Sequence, residues 1–187
     1  MTASGTDKVL PLREPSVTLA LPRGSSIIAQ VKKANVQYVL SVPDQHTSVG
    51  LLHPIAADPD LKLVRVCKED ECFGIAAGLT YGNLRSLILV QYTGFLYAVN
   101  AVRGVAVEQK LPMCFMVGML GKEPGVPAME AKKFGLRLVE PILDAMGIQH
   151  TTIETEDDVP KISGLIEAAW RDSRPQAILL GGRPEAK

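Results

Sequence analysis

Ser86-Leu87-Ile88-Leu89-Val90-Gln91-Tyr92-Thr93-Gly94-Phe95 holds the key to the architecture. Leu87 to Val90 is an unbroken apolar run, without alternation with polar residues. A strand buried on both faces has that pattern, and such strands are mostly parallel with helices on each side. A polar turn containing Gly94 follows. Phe95, Val99, Val102 and Ala106 then recur at i, i+4, i+7 and i+11, one stripe of a helix. Strand, tight turn and helix in succession form the repeating unit of an α/β sheet.

The same alternation extends in both directions. Tyr38 to Val42, Leu63 to Cys67, Met113 to Met119 and Gln176 to Leu180 read as further strands. Ser25 and Ser26 are candidate caps for a helix with Ile27, Ile28, Val31 and Ala34 inward. Ile162, Leu165, Ile166 and Ala169 line another, with Glu167 and Arg171 as an outer i, i+4 pair. Met113, Met116, Met119 and Cys114 read as core filling. The pattern predicts an α/β three-layer sandwich, a mostly parallel sheet with helices on both faces. Residues 1–15 are expected to be a flexible lead and 16–187 a single domain; 187 residues fit one domain at about 150 residues each. In such sheets ligands bind beyond the carboxyl ends of the strands. The segments of interest are therefore 43–48, 68–72, 91–95 and 118–129.

Composition narrows the function. Lys plus Arg equals Asp plus Glu at 20 each, so the excess of basic residues that marks a nucleic-acid binder is missing. Four Phe, four Tyr and one Trp are too few for a base-stacking platform. Three cysteines without a CxxC pair argue for a reducing compartment. The longest charge-free run, 86–102, is shorter than the roughly 20 apolar residues of a membrane span. A cytoplasmic protein, with no nucleic acid and no membrane as partner, is the expectation.

Three loops carry candidate chemistry. The loop Lys68-Glu69-Asp70-Glu71 opens a helix expected over Cys72 to Tyr81, and acids there complement the macrodipole, which alone would explain them. Gly74, Gly78 and Gly82 follow on one face of that helix. Each interior glycine costs about 1 kcal/mol relative to alanine. The row therefore suggests close approach of a backbone or flat ligand, or tight helix–helix packing. In the second loop Thr93 and the backbone beside Gln91 and Gly94 could meet a ligand, or Thr93 could simply cap the helix. In the third, Asp44 could cap a helix, and His46 titrates near neutrality and could move protons. His53 and His150 read as structural or exposed. The order of residues offers no Ser–His–Asp triad, HExxH, Walker loop or GxGxxG.

Taken together, the loops resemble the pyrimidine-binding (Pyr) domain of thiamine diphosphate-dependent enzymes. The likeness is to the alpha subunit of sulfopyruvate decarboxylases and the N-terminal half of phosphonopyruvate decarboxylases, over roughly 25–184. Ser41-Val42-Pro43-Asp44 is similar to the family's G-V-P-D turn. Glu69, with Gly78 nine residues on, matches its E-x(8)-G segment. Gln91-Tyr92-Thr93-Gly94-Phe95-Leu96-Tyr97-Ala98-Val99-Asn100 resembles its Q-N-S-G-x-G-N-x-x-N stretch. The chain departs from that stretch at Tyr92 and Tyr97, where the family has Asn, at Thr93 for Ser and at Leu96 for Gly.

The resemblance implies a role for each loop. Glu69 would hydrogen-bond N1′ of the cofactor's aminopyrimidine and so promote loss of the thiazolium C2 proton, with attack on a 2-oxo acid and release of carbon dioxide to follow. That role asks for a carboxyl withdrawn from water. Pro43, Gln91, Thr93 and Gly94 would complete the cofactor side. Asp44, His46 and Tyr92 would face the substrate, with His46 a second catalytic candidate. The bulk of Tyr92 and Tyr97 would fill space that a phosphonate or sulfonate occupies, so the individual 2-oxo acid is left open. The family's G-D-G…N motif for diphosphate and Mg²⁺ does not occur in the sequence. The resemblance therefore implies a metal-holding PP-domain (beta) partner, the cofactor between the two chains, and an α2β2 or larger hetero-oligomer. Two competing readings are a Pyr-fold interaction or regulatory protein without catalysis, and a flavodoxin-like domain. The second lacks a Gly-rich phosphate loop after the first strand.

Overall fold

The computed structural model describes residues 20–186. The expected lead over 1–15 lies outside them. Six strands form one sheet in the order β2-β1-β3-β4-β6-β5: β1 Tyr38–Ser41, β2 Lys62–Arg65, β3 Ser86–Gln91, β4 Cys114–Gly118, β5 Gln149–Ile153 and β6 Gln176–Leu180. Every pairing is parallel. β3 sits third, with Ser41 beside Leu89 on one flank and Val117 beside Val90 on the other. A strand so placed can meet water on neither edge nor face, which is why 87–90 is apolar without alternation.

Six α-helices cover the two faces: α1 Gly24–Lys33, α2 His53–Ala57, α3 Glu69–Tyr81, α4 Tyr92–Ala101, α5 Leu136–Ala145 and α6 Lys161–Asp172. On one face Phe73 and Ala76 of α3, Phe95 and Ala98 of α4, and Leu136 and Val139 of α5 join a core with Ile88, Val90 and Phe115. Phe115 of β4 meets Phe73 edge-on at 5.6 Å and stacks on Phe95 at 5.9 Å, which binds α3 and α4 to each other as well as to the sheet. On the other face Ile27 and Val31 of α1, Ile55 of α2, and Ile162 and Ile166 of α6 pack on Leu87, Leu89, Met116 and Ile178. Among the described residues no helix is long and apolar enough to cross a membrane.

Several local expectations change. β5 was not foreseen: its sequence, Gln-His-Thr-Thr-Ile, is polar because it is an edge strand with a single neighbour. The helix after Lys68 starts at Glu69 and includes all three acids. The cap of α1 is Arg23, not Ser25 or Ser26. Glu156, from the far end of the sheet, accepts from the Arg23 backbone N–H at 2.7 Å and the Ser26 hydroxyl at 2.5 Å. Glu167 pairs with Arg85 at 2.6 Å instead of Arg171. In the α4 stripe Ala98 is buried and Val99 only half-buried, and the helix runs on into a π-helical turn, Val102–Val107. Met113, Met116, Met119 and Cys114 are all buried.

Candidate functional site

The heads of α3 and α4 meet beyond the carboxyl ends of β2 and β3, and three neighbouring acids have three different surroundings there. Glu71 reaches back to accept the Cys67 and Lys68 backbone N–H groups at 3.0 and 3.3 Å, closing the first turn of α3. Asp70 has one buried carboxylate oxygen with no hydrogen-bond partner. Glu69, half-buried, lies against Gly94. A side-chain carbon at position 94 would stand 2.4 Å from Glu69 Cγ, 2.6 Å from Oε1 and 2.7 Å from Cδ. Only glycine leaves room for that carboxyl, so two loops singled out separately in the sequence form one feature. Among the described residues the Glu69 carboxylate accepts no hydrogen bond. It is left available to a ligand.

The turn that presents Gly94 is short. Gln91 ends β3 in extended conformation (φ −81°, ψ 160°) and precedes α4. The Thr93 hydroxyl donates to Gln91 Oε1 at 3.2 Å and caps no backbone group. Tyr92 packs against the segment joining β4 to α5: a side-chain carbon at Gly135 would stand 2.7 Å from Tyr92 Cε2. Tyr97 is 56% exposed on the outside of α4. Neither Gly135 nor Gly118 was legible as a site residue, because each acts only by leaving room for an aromatic ring from a distant loop.

The loop after β1 is self-contained. Pro43 is exposed. Asp44 Oδ1 accepts the His46 and Thr47 N–H groups at 2.6 and 2.8 Å, and Oδ2 accepts the Thr47 hydroxyl at 2.5 Å. The carboxylate thus holds its own turn. His46 is 3% exposed, and among the described residues neither ring nitrogen has a well-formed hydrogen bond. Its ring lies on Gly118 at the end of β4. No hydrogen bond joins this group to Glu69.

The glycine row of α3 has an unexpected setting. Gly74 and Gly78 are exposed, and nothing lies within 4 Å of a side-chain carbon placed on either. Among the described residues no helix packs there. Around them Ile75, Tyr81 and Tyr97 are exposed, and neither α3 beyond Glu71 nor α4 carries a charged residue. A solvated helix face normally carries charge. Gly78→Ala should raise the helix stability of the isolated chain by about 1 kcal/mol, as measured by thermal unfolding, since the methyl meets nothing and alanine is the better helix former. The same substitution should weaken any assembly that brings a second backbone onto this face.

Cavities of about 530 and 380 Å³ lie at β5, one beside Asp144, Gln149 and His150, the other beside Lys122, Glu140 and Glu154; Glu69 lines neither. Among the described residues no group of three His, Cys, Asp or Glu side chains could hold a metal ion.

No protein-family model matches the chain. Among curated proteins it is 28% identical over 156 residues to the alpha subunit of sulfopyruvate decarboxylase from Methanothermobacter thermautotrophicus, covering 83% of this chain and 93% of that one. With the same subunit from Methanocaldococcus jannaschii it shares 26% over 160 residues, 84% and 92% of the two chains. A Methanosarcina acetivorans protein named sulfopyruvate decarboxylase is 26% identical over 157 residues, which are 82% of this chain and 38% of that one. Over most of its length, then, the chain is similar to the decarboxylase subunits called sulfopyruvate decarboxylase alpha, and its all-parallel α/β sandwich agrees with the Pyr-domain fold.

Proposed function

We propose that this chain is the pyrimidine-binding subunit of a two-chain, thiamine diphosphate-dependent decarboxylase of a small 2-oxo acid, sulfopyruvate or a phosphonopyruvate-like relative. The observation that carries this reading is the Glu69 carboxyl seated on Gly94. Among the described residues its carboxylate accepts no hydrogen bond, and its seat on Gly94 suits one edge of a flat heteroaromatic ring. Glu69 would hold a proton at a ring nitrogen. Gly94 fixes where that proton sits. Gln91, Thr93 and Pro43 border the same end of the sheet. When bound, thiamine diphosphate would supply the electron sink that accepts the pair left as carbon dioxide departs.

Asp44, His46 and Tyr92 are each held by turn hydrogen bonds or packing, so their part is to fix the walls on the substrate side. A diphosphate needs a cation, and the described residues offer no metal cluster, so Mg²⁺ would be held by a PP-domain (beta) chain covering the α3–α4 face. The Methanosarcina acetivorans relative, matched over 38% of its length, has room for both halves in one polypeptide. An α2β2 or larger assembly, inactive as single chains, is part of the same proposal and rests on the family resemblance. The test is carbon dioxide release from sulfopyruvate and phosphonopyruvate with thiamine diphosphate and Mg²⁺. Release is expected only when this chain and the metal-holding chain are combined. Turnover by this chain alone, or none by the pair, contradicts the proposal.

A further inference from the structure

His46 is a buried titratable group to which the proposed chemistry gives only a place in the wall. It is 3% exposed, and among the described residues its ring nitrogens make no well-formed hydrogen bond, with only the Leu180 and Gly182 backbone in looser reach. Buried polar atoms are nearly always paired, and each unpaired one costs about 1–3 kcal/mol. The ring fills a particular place. A side-chain carbon on Gly118 would stand 3.0 Å from His46 Cδ2 and 3.2 Å from Cβ, so the imidazole rests directly on the end of β4. The backbone of Leu180 and Gly182, where β6 runs out, faces it from another side. The imidazole thus joins three chain segments: the turn 43–47, the end of β4 and the segment after β6. That last segment is tied to the sheet through the Gly181 and Gly182 N–H groups, which donate to the Ile153 carbonyl at 2.9 and 3.3 Å.

We propose that His46 is a positioning residue and a proton-operated clasp: as the neutral ring it wedges the turn 43–47 against the ends of β4 and β6, and on protonation it releases that turn. The charged groups around it are few. Asp44, from its own turn, favours the protonated ring; Arg183, from the segment after β6, opposes it. β4 and β6 present only backbone, and the Leu180 and Gly182 groups favour protonation. Burial outweighs these and holds the imidazole below its ordinary value of 6.5. The sign follows. Above 6.5 both folded and unfolded chains are neutral at His46, and the clasped state carries no protonation penalty. As the pH falls below 6.5 the unfolded or released state takes the proton first, so the clasped state loses stability down to the lower folded value. Because the turn carries Pro43, its release would also loosen the candidate cofactor site. That consequence rests on the proposed function, whereas the clasp itself does not.

Hydrogen exchange on the full chain, with any polypeptide that co-purifies, tests the clasp without cofactor or substrate. The reporters are the His46 and Thr47 amides, which donate to Asp44, and those of Gly181 and Gly182. Between about pH 8 and about pH 5 their protection factors should fall about tenfold, while β3 amides hold theirs. The His46→Leu variant, which fills the space and binds no proton, should keep its protection across that range. An equal loss in His46→Leu, or no loss in the wild type, overturns the proposal. Should His46→Leu fail to fold, the imidazole titration followed by NMR in the wild type decides. A midpoint below 6.5 that coincides with the loss of protection supports the clasp, and a midpoint at or above 6.5 refutes it.

Discussion

Glu69→Gln should lower the turnover of the assembled enzyme by about 10³-fold, within the range expected for a positioned acid–base group, and leave the fold intact. The amide matches the carboxyl in shape, so it can lie over Gly94 as Glu69 does. What it lacks is the ability to hold and return a proton at a ring nitrogen. Circular dichroism and the unfolding midpoint should therefore match the wild type while carbon dioxide release collapses. Glu71→Ala gives the contrast. Glu71 caps α3 through Cys67 and Lys68, so removing those hydrogen bonds should cost about 0.5–2 kcal/mol of stability and spare activity. Two acids within one helical turn would thus separate into catalytic and structural by their readouts. Equal losses of activity in the two variants would contradict the assignment.

Gly94→Ala should cost about 10²-fold in activity with little loss of stability, which is the reverse of an ordinary glycine replacement in a core. The atoms that the new methyl meets, at 2.4 to 2.7 Å, belong to the Glu69 side chain and not to backbone. That side chain can swing aside, and alanine favours the helix by about 1 kcal/mol. The fold therefore loses little, but the carboxyl is displaced, and a shift of about 1 Å at a reacting group can cost about 10²-fold. Combining Gly94→Ala with Glu69→Gln should add almost nothing to the loss from Glu69→Gln, because both act through one carboxyl. Independent, multiplying effects would argue that Gly94 has a role of its own.

The sheet was legible because parallel central strands must be apolar without alternation, and 87–90 and 177–180 have that form. β5 was hidden because an edge strand needs burial at few positions, and Ile153 alone meets the deep core. The cap of α1 was misplaced because Glu156, a carboxylate 130 residues from Ser26, does the work that local serines usually do. In the candidate site Glu69 and Gly94 stood out in separate motifs, but their contact depends on α3 and α4 meeting at Phe115, which no spacing encodes. The glycine row was visible, but its lack of a neighbour was not, since exposure is a property of the packed molecule. His46 shows the same limit from the other side. A lone loop histidine is ordinarily solvated, and only the approach of β4 and β6 buries this one.

Calorimetry of thiamine diphosphate binding in the presence of Mg²⁺ tests most directly whether Glu69 and Gly94 form half of a pocket that a second polypeptide completes. Titrated into the wild-type chain together with the metal-holding chain, the cofactor should bind saturably, and titrated into either chain alone it should give no saturable heat. Equally tight binding by this chain by itself, or none by the pair, would contradict the account.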